Sequence, residues 1–271
     1  MYMMKLRLIL TLILLSSLNV CFCEEITEAN YLREDSVLWG KFYAEYDVMQ
    51  KLWQDFPEKR DSLQAAYEEM YESASRENRR LAMKYASVPS GLQRLYMVRL
   101  ELPKDTVRRV FDRLPDNMKE SFYGKCIKKH LDTVQVEEGD SLHRFYCVDD
   151  KGMDFVWSVT DGKKVLLLYG GLGCMGESGR KYLQSLYDSI PRDKFLIIVY
   201  HPYSSLENLR KVREVYPSEF VFISDFLQDA SPMKIVYGTQ ATPTCFLFDE
   251  QHILKVKSVG IDEKRFNQYL Y

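Results

Sequence analysis

The chain has 271 residues, 28% of them charged and 46% hydrophobic, and a formal net charge of −2. Its basic and acidic residues are interleaved in near-equal numbers, which argues against nucleic acid as a partner. Beyond residue 23 no apolar run approaches the length that spans a bilayer. At the N-terminus, Lys5 and Arg7 form a short basic head and Leu8 to Leu15 an apolar core too short to cross a membrane. A stretch from Ser16 to Cys23 follows, and this order of segments predicts a secretory signal peptide over 1–23, cut before Glu24. The alternative is a lipoprotein signal with Cys21 or Cys23 lipidated, which would add a lipid anchor. Export implies an oxidising compartment, where thiol chemistry carries meaning. Removal of 1–23 leaves Cys126, Cys147, Cys174 and Cys245 and takes the formal charge to −4. Four scattered cysteines in about 248 residues do not make a disulfide scaffold, and that length suffices for two modest domains.

Residues 24–131 read as an all-helical region. Trp39, Phe42, Tyr43, Tyr46, Met49, Leu52 and Trp53 recur at three- and four-residue spacing. Pro57 punctuates, and a second long helix from about Glu58 to Tyr85 carries Leu63, Ala66, Tyr67, Met70, Tyr71, Leu81 and Tyr85 as its stripe. Both aromatic stripes are expected to be core packing rather than a binding groove. Val88-Pro89-Ser90-Gly91 is a turn, with Ser90 the expected cap of a helix through Leu100, and Pro103 and Pro115 each open a further short helix.

After Asp132 the period changes, and 132–271 reads as an α/β domain. Residues 142–148 and 153–157 are expected to be two strands joined by a hairpin turn at Asp149-Asp150-Lys151-Gly152. Strand 165–169, helix 175–190, strand 195–200, helix 204–216, strand 220–223, a short helix near 231–237, strands 244–248 and 253–259 and a helix from Asp262 follow. Alternating strands and helices imply right-handed crossovers and a sheet covered on both faces. Asp249-Glu250-Gln251-His252 is short enough to join the last two strands as a hairpin, so the sheet is mixed.

Strand 165–169 runs into Gly170-Gly171-Leu172-Gly173, then Cys174 at a helix start. Some 69 residues later comes Ala241-Thr242-Pro243-Thr244 before another strand. This combination resembles the thioredoxin superfamily, most closely its TlpA-like, AhpC/TSA-related bacterial envelope branch. The resemblance covers roughly 132–271. It implies a thioredoxin-like fold, a redox cysteine at position 174, and a cis-proline loop at Thr242-Pro243 facing it. The helical region is similar to accessory N-terminal segments of such proteins.

The resemblance also shows a departure, because the second cysteine of the usual Cys-x-x-Cys pair is replaced by Glu177. Cys174 and Glu177 are therefore the candidate catalytic residues. Gly173 and Met175, which flank the sulfur, and Thr242 and Pro243 are the candidate substrate-binding residues. Amides at a helix start favour a thiolate and Glu177 opposes it, while Arg180 and Lys181 are spaced to neutralise Glu177. Cys174 alone can form a mixed disulfide but needs an external thiol to resolve it. Cys245 is read as a core thiol, and packing is the default for Cys126 and Cys147. His201 at the end of strand 195–200 is a candidate proton shuttle, although a His-Pro at a strand end is commonly a simple turn. No histidine has metal-ligand spacing, and neither metal nor cofactor is expected. The expected function is thiol–disulfide oxidoreductase-type chemistry in the periplasm or cell envelope, with protein thiols or disulfides, or an external redox partner, as partners. Two rivals remain. One is a redox-inactive protein-binding module. The other is a peroxiredoxin-like peroxidase, since Cys174-Met175-Gly176-Glu177 fits that family's fragment; its supporting threonine, however, falls at Gly171 here.

Overall fold

The computed structural model of the chain describes residues 25–271. The expected signal peptide, with Lys5, Arg7, Cys21 and Cys23, lies outside the described residues. Helix α1 (Glu28–Asp55) starts where the Thr27 hydroxyl accepts the Asn30 amide at 3.2 Å, an N-cap. A 3₁₀ turn at Pro57–Lys59 reverses the chain into α2 (Arg60–Lys84). The aromatic stripes do meet across this hairpin, with Phe42–Tyr71 at 6.2 Å, Tyr46–Tyr67 at 5.8 Å and Trp53–Tyr67 at 5.5 Å between ring centroids. The expectation of a core holds at the hairpin base, where Tyr31, Leu81 and Tyr85 are buried, and at Phe42 midway along α1; Tyr43 and Tyr71 stay exposed. Two helices alone can bury one seam, and no third layer of the described residues covers the rest.

Helix α3 (Pro89–Met97) ends three residues earlier than its pattern suggested. Ser90 is not its cap. Val88 holds that position, Pro89 takes the first turn, and the Ser90 amide and hydroxyl both donate to the Glu28 carboxylate, tying α3 to the start of α1. Helices α4 (Lys104–Asp112) and α5 (Asp116–Lys119) begin directly after Pro103 and Pro115, and α6 (Phe122–Asp132) closes the helical half. Leu92, Leu95, Val107, Phe111 and Ile127 form its core, and Ile235 from the other half of the chain is buried among them.

The other half holds a six-stranded mixed sheet in the order β1-β4-β3-β2-β5-β6. Its strands are β1 (Val148–Asp149), β2 (Lys164–Tyr169), β3 (Phe195–Tyr200), β4 (Val221–Ser224), β5 (Thr244–Phe248) and β6 (Leu254–Val259). β2, β3 and β4 run parallel, and β5 joins β2 antiparallel and carries the β5–β6 hairpin. Connections run through α7 (Gly176–Ser189), α8 (Leu206–Val215) and α9 (Pro232–Ile235), with α10 (Glu263–Leu270) at the end. This is a thioredoxin-like fold. Helix residues Leu183, Leu186 and Phe266 cover one face, over Leu166, Leu168, Val199 and Cys245. Trp157, Met233 and Tyr237 cover the other, over Leu167, Ile198 and Phe246. Cover on both faces explains why the central strands read as unbroken apolar runs rather than alternating ones.

The early hairpin is a correction. Its turn forms, with the Asp149 carboxylate accepting the Lys151 and Met153 amides at 3.0 and 2.8 Å. The arms pair only beside the turn, through a Val148–Asp154 bridge with Asp149 N donating to Met153 O and Phe155 N to Cys147 O, both at 2.8 Å; the one strand that results, Val148–Asp149, pairs with Ser224 and Ile223 of β4. Further from the turn, carbonyls of the expected first strand are taken by side chains: Phe145 O accepts the Trp157 indole at 2.6 Å and His143 O the Tyr237 hydroxyl at 2.7 Å. Among the described residues no helix is long and apolar enough to cross a membrane.

Candidate functional site

β2 and β5 pair so that Tyr169 opposes Thr244, the last residue of one strand beside the first of the other. The segment leaving β2 and the segment entering β5 therefore face each other. Gly171 has φ +89°, and a Cβ built there would fall 2.4 Å from Pro243 Cβ, so only glycine allows this approach. The Thr242–Pro243 bond is cis. Residues 172–175 form a turn before α7. Cys174 is exposed, and its Sγ lies 3.7 Å from Thr242 Oγ1, across 68 residues of sequence.

Several surroundings differ from expectation. The amides of Cys174 and Met175 both donate to Gly171 O at 3.0 Å, so they hold the turn and are not free for the sulfur. The polar group at the sulfur is instead the Thr242 hydroxyl, a neighbour that the glycine at position 171 could not supply. Glu177 pairs with Lys181 at 2.7 Å, and both side chains are largely exposed. Arg180 does not neutralise Glu177. Its Nη1 donates to Leu172 O at 2.9 Å and its guanidinium lies 5.6 Å from the Tyr216 ring centroid, so it braces the turn that carries Cys174. A Cβ at Gly173 would come 2.8 Å from the Tyr216 hydroxyl, and the Met175 side chain lies over Gly179 of its own helix. Sequence reading missed Tyr216, because nothing local connects α8 to this turn. Beside the turn, Leu172, Arg180, Lys181, Val215, Tyr216 and Phe220 line a cleft of about 330 Å³.

The remaining thiols are elsewhere. Cys245 is fully buried on β5 opposite Leu168, and burial pushes its thiol up to about 12. Burial likewise pushes Cys126 on α6 up to about 11 and raises Cys147. None of the three is an accessible nucleophile. His201 is also unsuited to shuttling protons. It is stacked between Tyr203 and Phe222 at 5.3 and 5.6 Å, and desolvation pushes it down to about 4, so the ring is neutral. Its Nε2 has no hydrogen-bond partner among the described residues. Among those residues, no three His, Cys, Asp or Glu side chains are grouped to hold a metal ion.

No family model matches the chain, and no curated protein matches it. Solved structures do. One is the thioredoxin domain of a thiol-disulfide oxidoreductase from Bacteroides vulgatus, 18% identical over 51% of this chain and 100% of that one, with a TM-score of 0.42. Another is a thiol-disulfide isomerase from Corynebacterium glutamicum, 17% identical over 50% of this chain and 96% of that one, also at 0.42.

Proposed function

We propose that this is an exported thiol–disulfide exchange protein of the bacterial periplasm or cell envelope that works through one cysteine, Cys174. The observation that carries the reading is the exposed Cys174 sulfur, 3.7 Å from the Thr242 hydroxyl in the cleft between two opposed loops, while every other described thiol is buried. Cys174, as thiolate with its proton given to solvent, attacks one sulfur of a substrate disulfide. That S–S bond breaks, the far sulfur leaves as a thiolate and takes a proton, and a mixed disulfide with Cys174 remains. Cys245 is too deep to resolve it, so an external thiol attacks the mixed disulfide and returns Cys174. Gly173, Met175, Thr242 and Pro243 border the substrate chain, and Glu177 with Lys181 sets the local charge. The domain division at about residue 132 belongs to the same reading. Capture in cells tests it. Adducts released by reductant should form with Cys174 intact and vanish in Cys174→Ser; an unchanged pattern leaves a protein-binding module instead.

A second reading, peroxide reduction, is favoured by one feature: Thr242 supplies a hydroxyl at the sulfur that Gly171 cannot. There the thiolate attacks a peroxide oxygen, the O–O bond breaks, hydroxide leaves, and a sulfenic acid forms. One external thiol condenses with it, losing water, to a mixed disulfide, which a second thiol reduces back to Cys174. Intact mass after hydrogen peroxide treatment decides this one, since an unoxidised Cys174 removes it.

A further inference from the structure

We infer that Arg99, supplied by the helical half, is a positioning residue for the Thr242–Pro243 loop; this rests on the reading of Cys174 as the working thiol. Arg99 follows α3 and is 1% exposed. A guanidinium so buried is costly unless its donors are satisfied; here the two terminal nitrogens are bonded, while Nε has no hydrogen-bond partner among the described residues. Among the described residues no carboxylate is within ion-pair distance of it. Nη1 donates to Tyr96 O at 2.8 Å and to Gln240 Oε1 at 3.0 Å, and Nη2 donates to Lys234 O at 2.6 Å and Thr239 O at 3.4 Å. The guanidinium also lies 4.0 Å from the centroid of the Tyr96 ring.

Two of the four acceptors belong to Thr239 and Gln240, the residues that lead directly into Ala241-Thr242-Pro243. Gln240 is gripped from both ends: its Oε1 also accepts from Lys234 Nζ at 3.5 Å, and its Nε2 meets Met97 Sδ at 3.0 Å. Lys234 in turn pairs with Asp229 at 2.8 Å, and Asp229 accepts the Tyr123 hydroxyl of α6 at 3.0 Å and, through its carbonyl, the Tyr96 hydroxyl of α3. The helical half thus holds the 229–240 segment from α3 and α6. Met97 and Arg99 both reach Gln240, and Arg99 alone of the two also bonds the Thr239 carbonyl. A well-packed apolar side chain would fill the same space at lower cost, so the retained charge is explained by the directed bonds it makes rather than by stability. Because Thr242 Oγ1 stands only 3.7 Å from Cys174 Sγ, a small shift of residue 240 changes what the sulfur meets.

The test is the alkylation rate of Cys174 by iodoacetamide in the full mature chain, at fixed pH, for Arg99→Met, Arg99→Lys and Gln240→Met. Gln240→Met leaves three of the four Arg99 bonds in place, so it keeps the question open to measurement should Arg99→Met not fold. Each is also made in a Thr242→Val background. The expected result is a change of about threefold or more for Gln240→Met and Arg99→Met, a smaller one for Arg99→Lys, and no further change once Thr242 is valine, the non-additivity of residues acting through one contact. Rates unchanged in folded variants, or effects that simply multiply in the Thr242→Val background, overturn the inference. Alkylation needs no exchange activity. If the rates behave as expected but the chain never exchanges with a disulfide-bonded peptide, the proposed function fails while the positioning role stands.

Discussion

The α1–α2 hairpin and the α/β half use aromatic residues in different ways. In the sheet, Tyr200, Phe222, Phe246 and Phe248 sit at 0% exposure, packed by helices or by the 157 and 237 segments from either side. In the hairpin, Phe42, Tyr46, Trp53, Tyr67 and Tyr71 touch one another, yet Tyr43 is 58% and Tyr71 50% exposed. Both patterns are rich in rings, but only a segment enclosed by two layers turns them into a core. A helix of 28 residues is about 42 Å long, and α3 braces only its first part. The outer hairpin is therefore the region of lowest local stability, and the sheet the highest.

The largest expected effect is in the sheet. Phe246→Ala should cost about 3–5 kcal/mol, read from denaturant unfolding, because the residue is fully buried and the surrounding strands cannot collapse into the space. A loss below 1 kcal/mol would mean that the sheet is not the enclosed core described.

Next in size is pH. Desolvation pushes His130 and His201 down from 6.5 to about 4 in the folded chain; for His130 the nearby Arg99 and Lys104 add to it. Between pH 6.5 and 4 the unfolded chain binds protons at these positions that the folded chain does not. Their stabilising contribution is thus complete above pH 6.5 and is lost as pH falls toward 4, at about 3 kcal/mol for each histidine. Thermal midpoints measured across that window should drop, and His201→Phe should flatten the slope. A flat profile in the unsubstituted chain would contradict the burial of both rings.

Tyr67→Ala, in the half-covered hairpin, should cost only about 1 kcal/mol and speed amide exchange in α1 and α2 while leaving β2, β3 and β5 protected. Loss of protection in the sheet as well would join the two regions into one cooperative unit and erase the contrast. The smallest effect belongs to the exposed Glu177–Lys181 pair, where Lys181→Ala should change stability by no more than about 0.5 kcal/mol.

Sheet order and site were legible to different degrees. The runs 195–200 and 244–248 became strands at those limits because continuous apolar sequence of that length, bounded by turns, suits a strand covered on both faces. The 142–157 stretch misled because Phe145 and Cys147 alternate as strand residues do, while Trp157 and Tyr237, distant or later in sequence, claim the carbonyls. Arg180 was assigned to Glu177 by helical spacing, a rule blind to the Leu172 carbonyl behind it. The closeness of Cys174 to Thr242 was an implication of the family resemblance, since nothing in the residues themselves shows that β2 and β5 pair. Arg99 was not legible, since a single arginine after a helix carries no local sign of three acceptor oxygens supplied by the 234–240 segment.

The most direct test mixes the protein from Glu24 to Tyr271 with a disulfide-linked peptide and reads intact mass under non-reducing conditions. The account predicts one adduct, the mass of one peptide half on Cys174, released by a small thiol and absent in Cys174→Ser. An adduct that survives that substitution, or none at all from the unsubstituted chain, contradicts it.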